Sequence, residues 1–150
     1  MKLYNEIEKI PLMRPTMPPR EELEPYLNRI WKSRQLTNVG PIHHEFEQAL
    51  CEYLGVEHIC LFANGTLALL FALKALNLKG EVITTPFTSI ATLQAVVWNN
   101  LTPVFVDIDR SDLNIHPDEF AKAMTHATCA VLPVHIFGEP CDTFRKWDPD

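Results

Sequence analysis

The sequence has no long hydrophobic run. Its longest uninterrupted apolar stretch, Leu67 to Leu73, is far short of the roughly 20 residues that a helix needs to cross a bilayer, so no membrane span is expected. The opening "MKLYNEIEKI" lacks an apolar h-region, which argues against a secretory signal and leaves the cytosol as the expected compartment. Positive charge is scarce: 13 Lys and Arg against 19 Asp and Glu give a formal net charge of -6 at pH 7. Nothing supplies a broad positive field, so neither nucleic acid nor an anionic membrane is expected as a partner, and an anionic ligand would have to be held locally. Cys51, Cys60, Cys129 and Cys141 include no C-x-x-C pair. For at least three of them a buried reduced thiol is expected, ahead of a disulfide or a metal ligand. No internal repeat or low-complexity segment is present.

What remains is ordinary globular composition. Of 150 residues, 47% are hydrophobic and 21% charged, enough for one domain with a real core. Pro11, Pro15, Pro18 and Pro19 crowd the first twenty residues and predict an extended arm over 1–20, because proline removes a donor and pushes its predecessor out of the helical region. "REELEPYLNRIWKS" then sets Leu23, Leu27, Ile30 and Trp31 at helical spacing. "RQLTNVGP" breaks that helix. "PIHHEFEQALCEYLG" restarts with Pro41 at a first helical position, Ile42, Phe46, Leu50 and Tyr53 or Leu54 on one face, and Gly55 as the stop.

From Glu57 onward strands and helices alternate. "HICLFA", "EVITTP", "TPVFVDI" and "TCAVLPVHIF" read as strands; "TLALLFALKAL", "SIATLQAVVWNN" and "PDEFAKAM" read as helices. The strand segments are apolar without polar alternation, as expected for a parallel sheet covered on both faces. The helix over 66–76 is apolar nearly all round, so it too is expected to be sandwiched. The fold class is therefore α/β: an open, mostly parallel sheet between helices, preceded by the arm and two helices.

In such a sheet, ligands bind beyond the carboxyl ends of the strands, where the next helices begin. Asn64-Gly65-Thr66 lies at one such place. A helix start offers unpaired N–H groups and the positive end of a dipole, and glycine lets an oxyanion come close. Thr66 can add a hydroxyl. The spacing fits neither the P-loop nor G-x-G-x-x-G, and a plain N-cap turn is an equal alternative.

Taken together, "LTNVGPIHHEFEQALCEYLG", "FANGTLALLFAL", "EVITTPFTSIAT", "TPVFVDID" and "AVLPVHIFGEPCD" resemble, in order and spacing, the DegT/DnrJ/EryC1/StrS sugar aminotransferases. These are pyridoxal-phosphate enzymes of aspartate-aminotransferase fold, and the resemblance runs from about Pro18 to Asp142. It is strongest to the branch that aminates nucleotide-linked keto-deoxy sugars with an amino donor, as in amino-sugar synthesis for surface polysaccharides or antibiotics. The resemblance implies that the backbone of Gly65, Thr66 and Leu67 holds the cofactor phosphate. It places Ser89 where the family has an aromatic residue stacked on the pyridine, with Phe87 the only nearby aromatic and a core position its bland alternative. It sets Thr37, with Gly40, near the substrate at a dimer interface, and makes His135 and Gly138 structural.

The family also uses a carboxylate at the pyridine nitrogen and a lysine that bonds the cofactor and shuttles protons. Neither matches a position here: Lys74, Lys79, Lys122 and Lys146 fall outside the pattern, so no catalytic residue is assigned. Residues 21–150 are thus expected to be an incomplete large domain, with 143–150 out of pattern, ended by a frameshift, an early stop codon or a cloning boundary and inactive alone. An open sheet of this kind favours association, as a homodimer or through the sheet and the arm. The alternatives from other classes are a small non-catalytic phosphate- or nucleotide-binding module and an inactive homologue that binds a longer partner.

Overall fold

Helix punctuation organises the N-terminal residues. A computed structural model describes residues 14–141, which divide between Cys60 and Leu61 into two units. The expected arm lies outside the described residues as far as residue 13, and 14–19 carry neither helix nor strand; the stretch 143–150 also lies outside them.

In the first unit α1 spans Arg20–Ser33 and α2 spans Pro41–Leu54, both as the sequence predicts. Glu21 and Glu22 occupy the first turn of α1, where carboxylates meet the positive end of the helix dipole. Arg34 closes it in the left-handed region, its N–H reaching the Ile30 carbonyl at 2.9 Å. Gly40 and Pro41 begin α2 and Gly55 ends it. An ion pair between Arg29 and Glu45 joins the two helices. Its hydrogen bond holds the Glu45 carboxyl below the usual glutamate range and the Arg29 guanidinium above its own. The apolar stripes of this unit are uncovered: no residue of α1 or α2 is buried, and Trp31 is 73% exposed.

The second unit contains α3 (Gly65–Leu76), β1 (Glu81–Thr84), α4 (Ile90–Trp98), β2 (Thr102–Phe105), α5 (Pro117–Ala123) and β3 (Thr128–Val131). The three strands form one parallel sheet in the order β2-β1-β3, with Ile83 opposite Val104 on one side and Val131 on the other. Successive strand residues face opposite ways, and β1 shows where each face goes. Val82 is fully buried among Leu73 of α3, Ala95 and Val96 of α4, and Leu101. Ile83 is fully buried among Val106, Ile115, Phe120 of α5, and Cys141. Helices α3 and α4 therefore cover one face and α5 the other, as expected of an open α/β sheet. Asn99 binds the two helices of the first face together, donating to the Leu70 and Ala95 carbonyls at 3.1 and 2.8 Å.

Four expectations fail in this unit or beside it. "HICLFA", over 58–63, is not a strand, because an extended segment becomes one only where a neighbour completes its hydrogen bonds, and none of β1 to β3 pairs with it. The segment expected to run through Phe137 leaves the ladder after Val131, since Pro133 has no N–H to donate. Helix α3 is not enclosed: Leu73 is its one buried residue, and Phe71 stacks on Phe62 at 5.6 Å with both rings partly exposed. All four cysteines are free, but only Cys141 is buried. Cys60 is exposed in the segment that forms no strand, and Cys51 and Cys129 are half-buried.

Candidate functional site

The start of α3 is built by Asn64. Its backbone is extended, its side-chain Oδ1 accepts the Leu67 N–H at 3.0 Å, and its carbonyl accepts the Ala68 N–H at 3.2 Å. The Ala68 bond is the first of the helix ladder, so of the four orphan donors of a helix start the Asn64 side chain satisfies one, that of Leu67. The amides of Gly65 and Thr66 have no acceptor among the described residues. Of the three predicted amides, then, two are open and that of Leu67 is engaged by Asn64. Gly65 is not demanded by its backbone angle or by packing: a Cβ built on it meets nothing within 4 Å. The open space where a side chain would stand lies at the head of the helix, beside residues whose N–H groups have no acceptor among the described residues.

Ser89 lies at the start of α4, where its Oγ accepts the Ala91 N–H at 3.3 Å. It is a helix cap, and α4 packs beside α3 in the same layer. Phe87, two residues before it, is not a core residue; it is 41% exposed, and its N–H donates to Thr85 Oγ1 at 3.2 Å. Thr37 belongs to the N-terminal unit, where it lines a cavity of about 700 Å³ with Arg29, Lys32, Asn38, Val39 and His43. Asn38 and Val39 both have left-handed backbone there, with φ of 58° each. That conformation is rare for a β-branched residue.

Sequence reading missed Phe137 and the residue that places it. Asn114, fully buried, accepts the Ile136 N–H at 3.3 Å and donates to the Glu139 and Pro140 carbonyls at 3.4 and 3.5 Å. His135 Nδ1 accepts the Cys141 N–H at 2.9 Å, in keeping with a structural role. Between these ties Phe137 stands in the left-handed region, its ring edge-on to that of Phe87 at 6.2 Å. Replacing Asn114 by alanine removes the acceptor of the half-buried Ile136 N–H and the donor to two carbonyls, and should cost about 1 to 2 kcal/mol, read as a lowered urea midpoint at unchanged slope. The only local sign of this network is an asparagine in a turn-rich stretch.

Among the described residues no group of three or more His, Cys, Asp or Glu side chains could hold a metal ion, and no helix is long and apolar enough to cross a membrane.

The chain is similar to known proteins. A transaminase from Escherichia coli, dTDP-4-amino-4,6-dideoxy-D-glucose transaminase, is 52% identical over 133 residues, covering 89% of this chain and 36% of the relative. The crystal structure of DesI in the presence of its TDP-sugar product superposes with a TM-score of 0.75 at 42% identity, over 89% of this chain and 34% of that one. NtdA from Bacillus subtilis, solved with bound cofactor PMP, gives 0.78 at 32% identity, over 93% and 33%. The chain spans about a third of the length of the curated relatives it matches. Residues 19–147 match the DegT/DnrJ/EryC1/StrS aminotransferase family, and the chain belongs to that family.

Proposed function

We propose that these residues are the cofactor-phosphate-binding part of a pyridoxal-phosphate-dependent aminotransferase acting on a nucleotide-linked keto-deoxy sugar. In this reading 21–150 lie in its large domain behind an arm over 1–20. The observation that carries it is the turn at Gly65: two unpaired amides at the head of a helix of 12 residues, with open space where a side chain would stand. An anionic phosphate fits that donor set. When bound, the cofactor supplies the electron sink that amino-group transfer needs. The chain's own part is to bind and orient it. The Gly65 and Thr66 N–H groups would hold the phosphate, and the Leu67 N–H would join them on release from Asn64 Oδ1. Ser89, at the head of α4, would flank the cofactor. Thr37 contributes to the sugar-nucleotide site from the cavity of the N-terminal unit. The uncovered apolar faces of α1 and α2 support assembly with a second copy.

The test uses pyridoxine 5'-phosphate, which has no aldehyde and so cannot react with surface lysines. Titration of the 150-residue chain by calorimetry should show saturable binding that inorganic phosphate displaces. Absence of displacement would remove the phosphate turn from the account.

A further inference from the structure

Very little holds α1 to α2. No residue of either helix is buried, and their backbones stay largely apart. Among the described residues one ion pair, Arg29 with Glu45, joins them, and no other ion pair or hydrogen bond does. Both side chains of that pair are about half exposed to water. The Tyr26 ring, its centroid 5.8 Å from the guanidinium carbon, sets Arg29 in place from the same helix.

Helix α1 has no means of standing alone. It is 14 residues long and carries Pro25 in its interior; an isolated helix of that length is marginal in water, and an internal proline removes a ladder hydrogen bond. The connection that follows it is strained. Arg34, Asn38 and Val39 all have left-handed backbone, with φ of 56°, 58° and 58°, a conformation in which a Cβ crowds the chain and which persists only when the surroundings impose it. Burial does not impose it here, since Val39 is 50% exposed. The closure does: Arg29 and Glu45, 16 residues apart in sequence, tie the two ends of this segment together. The cavity at the closed end is lined by Arg29 itself, with Lys32, Thr37, Val39 and His43.

We propose that α1 is a flap latched over this cavity by the Arg29–Glu45 pair, and that ionic strength sets how often the latch opens. Salt screens an exposed pair, so opening needs nothing beyond the loss of that one contact. Once released, α1 has neither the burial nor the length to stay helical, and the strain at Asn38 and Val39 relaxes at the same moment. Closing orders α1 and brings Arg29 and Lys32 to the cavity wall in one step. The latch lies wholly within the N-terminal unit and owes nothing to the turn at Gly65.

Residue-resolved amide hydrogen exchange on the 150-residue chain tests the latch. The unaltered protein is compared at low salt and in about 1 M salt, where the Debye length is about 3 Å, and at low salt with Glu45→Gln, Arg29→Glu and the double exchange Arg29→Glu with Glu45→Arg. Exchange across α1 should quicken about two- to fivefold in high salt and in each single variant, the range expected of one exposed ion pair. The last turn of α2 and the strand β1 should not change. The double variant, with the charges reversed, should recover the slow exchange of the unaltered chain. Unchanged exchange in Glu45→Gln overturns the latch, as does an α1 that is already unprotected at low salt. Faster exchange in β1 as well overturns it too, because the pair would then support general stability. A double variant no slower than Arg29→Glu alone shows that the pair is not what holds the flap.

Discussion

Replacing Gly65 by alanine should weaken pyridoxine 5'-phosphate binding at least about tenfold while leaving the protein as stable as before or more so. The two effects have opposite signs because they have different origins. A Cβ at this position meets nothing within 4 Å, so the fold has no objection to it. Exchanging glycine for alanine at a compatible position stabilises by roughly 0.4 to 1 kcal/mol, through the lost freedom of the unfolded chain. The methyl group nevertheless stands in the space in front of the Gly65 and Thr66 amides. Gly65→Asp sharpens the contrast: a carboxylate suits the first turn of a helix but repels a phosphate, so binding should vanish while the melting temperature is kept. Calorimetric titration paired with thermal denaturation reads both quantities. Full affinity in the alanine variant would show that no ligand approaches this turn.

Gly80→Ala should do the reverse of Gly65→Ala, destabilising the sheet by about 3 kcal/mol or more. Gly80 has φ of +123°, and a Cβ there would lie 2.3 Å from the Ala127 carbonyl oxygen. That oxygen is backbone and accepts the Glu81 N–H at 2.9 Å, while the Gly80 carbonyl accepts the Thr102 N–H at 2.9 Å. One glycine thus sits where both ladders of β1 begin, and moving it aside disturbs the pairing with β2 and with β3. Urea denaturation followed by circular dichroism measures the cost. A loss below about 1 kcal/mol would mean that the backbone relaxes more easily than this geometry allows.

The two glycines illustrate what a sequence discloses. Helix boundaries were legible wherever chemistry is local: Pro41 and Gly55 bracket α2, and Asn64 announces α3. The parallel sheet with helices on both faces followed from apolar runs of β-branched residues, and Val82 and Ile83 divide between those faces accordingly. Whatever depends on a distant neighbour was not legible. The run at 58–63 has the composition of a strand but lacks a partner to make it one. Leu67, Phe71 and Leu76 are apolar in sequence yet exposed in this chain. The turn at the head of α3 was visible as Asn-Gly-Thr, whereas the Phe87–Phe137 pair depends on Asn114 reaching across to residues 136–140. Glycine at 65 and glycine at 80 look alike in the sequence, and only the neighbours of each tell which the fold requires and which it does not.

The central position of β1 also bears on the order in which the protein assembles. Glu81 pairs with Thr102 on one side and Thr128 on the other, so closing the first pairing loops out less than half as much chain as closing the second. Each doubling of a loop costs roughly 0.6 kcal/mol in closure entropy, and the second pairing also carries an irregularity between Glu81 and Val82. The β1-α4-β2 segment is consequently the cheaper nucleus, and β3 is recruited onto a partly formed sheet. Because the loop bearing Phe137 follows β3, the aromatic pair forms only at the end of that sequence. On a ribosome, the turn at Gly65 would emerge well before the chain acquires the loop that carries Phe137.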